Sequence, residues 1–436
     1  MSINIPDRGT LRRYMEVILL LLFHVSYSSV LLNLGVIMYD IQAQNKKSIN
    51  DSTYLYISQG LGCFLANISI LVGSTMLKAK YLLLISMLFP GIFWMIVGFS
   101  SNFILTNTCV FLATLFAEAT SVVSLVYCSE IWGVKSATIF NTVLTGIPIG
   151  NIISPLLYTP FLSESAVKHS QQANAQRIGC YERHKLDGNW SNSTLEMKPV
   201  TPDIQIYIPI CINSAVFIVV AIFFYVCQIG NQHRLPYEEL DKCSTQSTTS
   251  DKKGTFLGFL VLACVGGIIS VIGNLTTQFA VECYEGTSTV GAAHLLSVYQ
   301  AIVMIDRIVM TIFLQFTGTT KLLCIHLLIG LSGVLLLTFT VGDRETLWVS
   351  FVTMGVAIGS AFPMSFGWVK ERFSPSPIQF TIVIFGASTG VAFSPIASII
   401  INHTAVFSYS AILTSLFAGG CLIVVLTECV RLLCKI

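Results

Sequence analysis

Twelve long apolar stretches constrain this chain before any motif does. A helix needs roughly 20 apolar residues to cross the hydrocarbon of a bilayer. Stretches of that kind run over 14–40, 53–75, 81–100, 104–128, 136–158 and 204–228, and again over 255–281, 290–316, 321–342, 346–368, 376–400 and 405–430. They are continuously apolar, not alternating, so they predict membrane helices and not the strands of a barrel. Charged residues make up 11% of the chain, where a soluble domain carries roughly 25%. Between the two sets lies Gly230–Gly254, charged, rich in Ser and Thr and without apolar periodicity. It reads as a solvated linker. The expectation is an all-α membrane protein with 12 transmembrane helices in two six-helix halves. The first half is 1–228 with a long loop at 159–203, the linker is 229–254, and the second half is 255–436.

Orientation follows from the basic residues, because cytosolic loops carry an excess of Lys and Arg. With the N-terminus in the cytosol, sixteen of the 24 Lys and Arg fall in inner segments, and five of the other eight lie in the 159–203 loop. Both termini and the linker are therefore expected in the cytosol. The long loop is then outside, and it holds two adjacent glycosylation sequons, Asn189-Trp-Ser and Asn192-Ser-Thr. Outer glycosylation implies the secretory route, with the plasma membrane as the expected destination. Matches at Asn67 and Asn274 lie inside predicted spans and read as chance. Cys180 and Cys283 both fall on the outer side and could pair or stay free.

Several function classes are excluded early. A formal net charge of +2 calls for no nucleic acid. There is no P-loop or HExxH, and the 13 cysteines have neither CxxC nor zinc spacing. Gly386-Ala-Ser-Thr-Gly390 has the letters of a GxSxG but lies inside an apolar span, without the strand–helix setting such a motif needs. The chain is not expected to be an enzyme and needs no cofactor, apart from a coupling Na+ or H+. Its expected partners are the lipid bilayer and a small-molecule solute, with a monomer as the default state.

Ionisable side chains in hydrocarbon are costly and mark function by default. Glu118 sits near the middle of the fourth stretch, in FLATLFAEATSVVS, and a buried carboxyl that gains and loses a proton suits cation coupling. Asp306 and Arg307 are neighbours in the eighth. Successive helical residues point about 100° apart, so each needs its own partner, and their place toward the inner end suits a gate. His24 and Asn33 lie in the first stretch, Asn141 and Asn151 in the fifth, Asn274, Thr276, Thr277 and Gln278 in the seventh, and Ser360, Ser365 and Trp368 in the tenth. The neutral amides and hydroxyls serve either as glue between helices or as donors and acceptors for a hydroxyl-rich solute.

Twelve spans with a cytosolic linker after six resemble the major facilitator superfamily. Three runs resemble its sodium-dependent glucose transporter-like branch, which is similar to the fucose permeases: Leu32-Asn-Leu-Gly-Val-Ile-Met-Tyr-Asp40, Ile153-Ser-Pro-Leu-Leu-Tyr-Thr-Pro-Phe-Leu-Ser-Glu164 and Met354-Gly-Val-Ala-Ile-Gly-Ser-Ala-Phe-Pro363. The sequence also departs from that pattern. A Leu-Asn-Asp in the first span is here Leu32-Asn33-Leu34, and the acid of the fourth span is replaced by Ser121, with Glu118 one turn earlier. The usual Gly-Arg of the eighth span is Asp306-Arg307, and the Gly-x-x-x-Asp-Arg loop after the second is reduced to Gly73-Ser-Thr-Met-Leu-Lys78. The resemblance implies a secondary transporter whose first, fourth, seventh and tenth helices line the path of a small neutral hydroxylated solute, a hexose first. Asn33, Asn274, Gln278 and Trp368 are the expected solute contacts, Glu118 the coupling acid, and Asp306 and Arg307 the gate. The eroded loop motif leaves a receptor or scaffold without flux, or a carrier of a non-sugar solute, as the alternatives.

Overall fold

The computed structural model describes residues 8–31, 34–47, 51–76, 79–132, 139, 142–163, 205–229, 250–284, 287–313, 316–340, 343–373, 377–403 and 407–433. The linker at 230–249 and most of the 159–203 loop lie outside these residues.

The first half contains α1 (Arg8–Leu31), the short α2 (Met38–Gln44), α3 (Ser52–Met76), α4 (Ala79–Phe99), α5 (Phe103–Trp132), α6 (Gly146–Tyr158) with one 3₁₀ turn (Thr159–Phe161), and α7 (Tyr207–Ile229). The second contains α8 (Ser250–Cys283), α9 (Thr289–Phe313), α10 (Thr319–Phe339), α11 (Arg344–Phe373), α12 (Pro377–Val391), α13 (Phe393–His403) and α14 (Phe407–Leu433). Ten stretches of the described residues are long and apolar enough to cross a membrane. Helices α1 and α3, of 24 and 25 residues, also exceed the roughly 20 that a span requires. The exteriors of the helices keep large apolar side chains such as Phe223, Ile312 and Phe339, the pattern expected where lipid is the solvent.

Two expected spans are broken, each for a local reason. The stretch 14–40 ends as a helix at Leu31 and resumes at Met38. Gly35, between them, lies so close to α8 that a Cβ would stand 2.0 Å from the Asn274 carbonyl oxygen. The stretch 376–400 divides at Ala392 into α12 and α13. Pro395 has no N–H to give to the carbonyl of Val391, four residues earlier. The Ser270 hydroxyl of α8 donates to that carbonyl instead, at 3.3 Å.

Within the first half, α5 packs on α3 and α4, and α1 on α6 and α7. In the second, α8 packs on α12 and α14, and α11 on α9 and α10. The halves meet along two seams, α6 against α9 and α3 against α12 and α13. Hereafter the linker end is the end where α7 finishes and α8 begins, and the far end is the one where α3 and α5 begin. At the far end, Asn102 caps α5 by accepting the backbone N–H groups of Ile104 (3.0 Å) and Leu105 (3.3 Å), as side-chain oxygens do at helix starts.

Candidate functional site between the two halves

Helix α3 turns one polar stripe toward the second half. Thr53, Tyr56, Gln59, Cys63 and Asn67 recur at three- to four-residue spacing, which keeps them near one helical face. All five are buried. Facing them are Ser398 and Ser394 on α13 and Ser388 on α12, so that hydroxyls and amides meet at three successive levels.

The deepest level is built around Glu118 of α5, which is 8% exposed. Its carboxylate accepts the Tyr27 hydroxyl of α1 at Oε2. At Oε1 it accepts Ser388 Oγ of α12 at 2.7 Å and Asn67 Nδ2 of α3 at 3.5 Å. The Asn67 amide is oriented by its other bond, from Nδ2 to the Cys63 carbonyl at 2.9 Å. Four helices from both halves thus converge on one acid, and every named partner donates. An ionised carboxylate is acceptor-only, so this donor set matches its lone pairs. Beside it, His24 Nε2 is 3.2 Å from Ser121 Oγ, while His24 Nδ1 donates to the Leu20 carbonyl at 2.8 Å.

The middle level is built around Asn274 of α8. Its Nδ2 donates to Gln59 Oε1 of α3 at 2.9 Å and lies 3.2 Å from Ser394 Oγ and 3.5 Å from Ser270 Oγ. Ser270 and Ser394 share a hydrogen bond of 2.5 Å. The Asn274 backbone carbonyl accepts the Tyr56 hydroxyl at 2.7 Å. Its side-chain Oδ1 is buried and has no hydrogen-bond partner among the described residues. At the outermost level Thr53 Oγ1 meets Ser398 Oγ at 2.9 Å.

The remaining residues singled out in the sequence lie elsewhere. Gln278, one turn beyond Asn274, donates from Nε2 to Glu282 Oε1 at 3.2 Å on its own helix. Asp306 and Arg307 have separate partners, as their angular offset requires. Asp306 Oδ2 accepts Ser360 Oγ of α11 at 2.7 Å, and its Oδ1 is 3.3 Å from His326 Nε2 of α10, all within the second half. Arg307 Nε donates to the Gly359 carbonyl at 3.1 Å, and its Nη1 reaches across to the Leu144 carbonyl of the first half at 3.4 Å. Trp368 is fully buried near the linker end of α11. Its Nε1 donates to Glu428 Oε1 of α14 at 3.3 Å, and Glu428 also pairs with Arg372 at 2.8 Å. It is not brought together with Glu118 or Asn274. Asn33, Asn189, Asn192 and Cys180 lie outside the described residues.

Sequence reasoning missed most of the partners. Tyr27 follows His24 by one helical turn and was hidden by its mostly apolar character. Asn67 read only as a chance sequon. Gln59 sits two turns from Asn67, and that spacing of two amides in an apolar stretch was a signal that could have been used. Among the described residues no group of three His, Cys, Asp or Glu is placed to hold a metal ion.

No protein-family model matches the chain. It is 20% identical over 409 residues to major facilitator superfamily domain-containing protein 4A of Xenopus tropicalis, which covers 82% of this chain and 80% of that protein. Among solved structures, it superimposes on a bacterial homologue of the human lysosomal transporter Spinster with a TM-score of 0.64, at 12% identity over 97% of both chains. The major facilitator superfamily transporter FucP gives 0.62, at 14% identity over 94% of this chain and 97% of that one. The nucleoside transporter NupG gives 0.59, at 13% identity over 96% and 98%. The chain has the major facilitator fold, and the proteins it resembles in that fold are membrane transporters, not enzymes.

Proposed function

We propose that the protein is a secondary transporter that moves a small neutral hydroxylated solute, a hexose first, by rocking its two halves about the polar seam between them. The observation that carries this reading is Glu118: a buried acid whose donors come from both halves, so that its satisfaction depends on how the halves sit. Uncompensated charge in hydrocarbon is costly, so separating Ser388 from Glu118 has to be balanced by a cation or by another donor. That is the physical content of ion coupling. Asn274 offers a buried amide oxygen, Oδ1, to a solute hydroxyl, with Gln59 and Ser394 beside it. Asn33 is assigned to the same path, and Gln278 and Trp368 line its two ends. Asp306 positions α9 while the adjacent Arg307 closes the linker end on Leu144. FucP is a fucose:proton symporter, which supports sugar as the first solute to test. The reading includes cytosolic termini, glycosylation at Asn189 and Asn192, and residence in the plasma membrane as a monomer.

The test is uptake of labelled glucose and fucose into vesicles holding the purified protein, with and without Na+ or proton gradients. Wild type is expected to show saturable, gradient-driven uptake, and Glu118→Gln is expected to transport without responding to the gradient. Saturable uptake blocked by unlabelled nucleosides but not by sugars would replace the hexose with another solute. No flux from folded protein would leave a receptor or scaffold and refute the transporter.

A further inference from the structure

We infer that Asp306 and His326 form a proton-binding site inside the second half, where one exchangeable proton shared between Nε2 and Oδ1 joins α10 to α9. This goes beyond the transporter reading and does not depend on it, because every side chain of the site belongs to one half.

A count of donors requires the proton. The Leu322 carbonyl can only accept, so His326 Nδ1, 2.8 Å from it, is an N–H. A neutral imidazole has one N–H. With that one given to Leu322, the Nε2 of a neutral ring is a bare lone pair, and it stands 3.3 Å from Asp306 Oδ1. An ionised carboxylate is acceptor-only as well. A neutral ring and an ionised acid would therefore face each other with lone pairs alone. Both side chains are buried, where a polar group without a partner is costly. One added proton resolves the contact. On Nε2 it makes an imidazolium that donates to the carboxylate, and on Oδ1 it makes a neutral acid that donates to the ring. Either way one N–H or O–H bond forms, and the pair passes from negative to neutral.

His24 is the comparison within the same molecule. Its Nδ1 also donates to the carbonyl four residues earlier, that of Leu20, at 2.8 Å, and its Nε2 also meets one side chain, at 3.2 Å. That side chain is Ser121, whose hydroxyl can donate, so the neutral ring is satisfied. The same helical geometry needs an extra proton only where a carboxylate replaces the hydroxyl.

The surroundings are shaped for the acid. Ser360 of α11 donates to Oδ2 at 2.7 Å. A Cβ at Gly359 would stand 2.6 Å from that same oxygen and 2.6 Å from the Val303 carbonyl oxygen, so the missing side chain is what leaves room for the carboxylate.

The charged and titratable neighbours do not substitute for the proton. Arg307, next along α9, gives Nε to the Gly359 carbonyl and Nη1 to the Leu144 carbonyl. Whatever charge it offers Asp306, it cannot turn the lone pair of His326 Nε2 into a donor. Tyr299, two turns back on α9, packs on Phe351. On α10, Lys321 is exposed and Cys324 half-buried. Helix α11 has no titratable side chain between Glu345 and Lys370. Helix α14, packed on α10, brings Cys421, and its Glu428 is held by Arg372 and Arg431. Helix α8, packed on α9 and α11, has Cys264 in its middle, and α6, packed on α9, ends in Tyr158.

The experiment is nitrogen NMR of the full-length protein in lipid, with histidine labelled at both ring nitrogens, at neutral pH, and infrared absorption of protonated carboxyls on the same sample. The two rings are assigned by the signals lost in His326→Gln and in His24→Gln. His24 is expected to show one N–H and one bare nitrogen. His326 is expected to show N–H at both nitrogens, or else the infrared spectrum is expected to hold a protonated-carboxyl band lost in both Asp306→Asn and His326→Gln. Asp306→Asn, whose amide donates to Nε2 without any added proton, is expected to return His326 to the pattern of His24. A site that binds a proton contributes its bond at low pH and loses it as pH rises. Raising the pH is therefore expected to speed deuterium uptake by the α10 amides around His326 in wild type relative to His326→Gln, whose amide donates to Asp306 at any pH. A bare Nε2 in wild type without a carboxyl band that His326→Gln removes would overturn the site, and this arm does not depend on the folding of Asp306→Asn. Unchanged His326 signals in folded Asp306→Asn would overturn it as well. No solute is involved, so failed sugar uptake refutes the transporter reading and leaves this site standing.

Discussion

The contact between Asn274 and Gln59 gives the sharpest quantitative expectation. Both side chains are buried, they come from opposite halves, and the bond from Nδ2 to Oε1 is 2.9 Å long. Side-chain hydrogen bonds between membrane helices average about 0.6 kcal/mol and reach about 1.7. A short, fully buried bond belongs in the upper part of that range, so we assign it about 1 kcal/mol. Opening the far end must break it, and about 1 kcal/mol corresponds to about a fivefold change in the open population. Cys63 provides the reporter. It is fully buried on the same face of α3, one turn from Gln59, so alkylation of its thiol requires the seam to open. When reclosing is fast, the labelling rate follows the open population. Asn274→Ala and Gln59→Ala are each expected to raise labelling of Cys63, read site by site by mass spectrometry, by about fivefold. The double variant should label no faster than the faster single one, because the bond can be removed only once. Unchanged labelling in Asn274→Ala, or a double variant whose effect is the product of the two singles, would refute the argument that this bond holds the halves together.

Three further outcomes follow from other parts of the molecule. In Gly150→Ala, the new Cβ would stand 2.0 Å from the Val25 carbonyl oxygen. Overpacking of that kind costs about 1–3 kcal/mol and should lower the melting temperature in detergent, whereas Gly291→Ala, whose nearest atom is 3.5 Å away, should not. Arg307→Lys should loosen the linker end, because one ammonium cannot reproduce the planar fork that reaches both Gly359 and Leu144; faster deuterium uptake by the amides of α6 would report it. Asp343 caps α11 by accepting the Glu345 N–H at 3.2 Å and the Thr346 hydroxyl. The Thr346 bond comes first in holding its carboxyl below the ordinary 3.8. A lowered folded value contributes stability above the unfolded value and loses it as pH falls through the folded one. Asp343→Asn should therefore melt below wild type at neutral pH, with the difference vanishing in acid.

The membrane spans were legible because hydrocarbon imposes a length and a composition that no other environment does. Glu118 was legible for the same reason, since a lone carboxylate in an apolar run has no cheap explanation. Its partners were not. Ser388, Ser394 and Ser398 are small residues whose hydroxyls can be satisfied within their own helix, so nothing in the sequence says that Ser388 and Ser398 turn to the other half and Ser394 to Ser270 and Asn274 of α8. Gln59 and Asn67 were visible as amides in an apolar stretch, but only the packing of α3 shows what they meet, Asn274 of α8 and Glu118 of α5. The break between α12 and α13 was foreshadowed by Pro395, yet the proline does not say that Ser270 takes over the freed carbonyl. Trp368 was visible as a large aromatic near polar residues on the tenth span, and the structure adds what the sequence does not, that its Nε1 donates to Glu428 in a cluster of ion pairs at the linker end.

Among the described hydrogen bonds, two from charged side chains cross between the halves, in opposite senses. Glu118 of the first half receives Ser388 from the second, and Arg307 of the second half gives to Leu144 of the first. The other described side-chain bonds across the seams, at Thr53, Tyr56, Gln59 and Ser297, are neutral. A neutral bond broken in the membrane costs little and can be remade, which suits surfaces that must part and close. The charged ones cannot be left bare so cheaply. Arg307 has no way to neutralise itself, being charged at any ordinary pH, and it keeps Gly359 of its own half as a fallback acceptor. Glu118 likewise keeps Tyr27 and Asn67 from its own half when Ser388 leaves, but unlike arginine it can also take up a proton. Of these two, only the one on α5 can therefore tie the position of the halves to an ion.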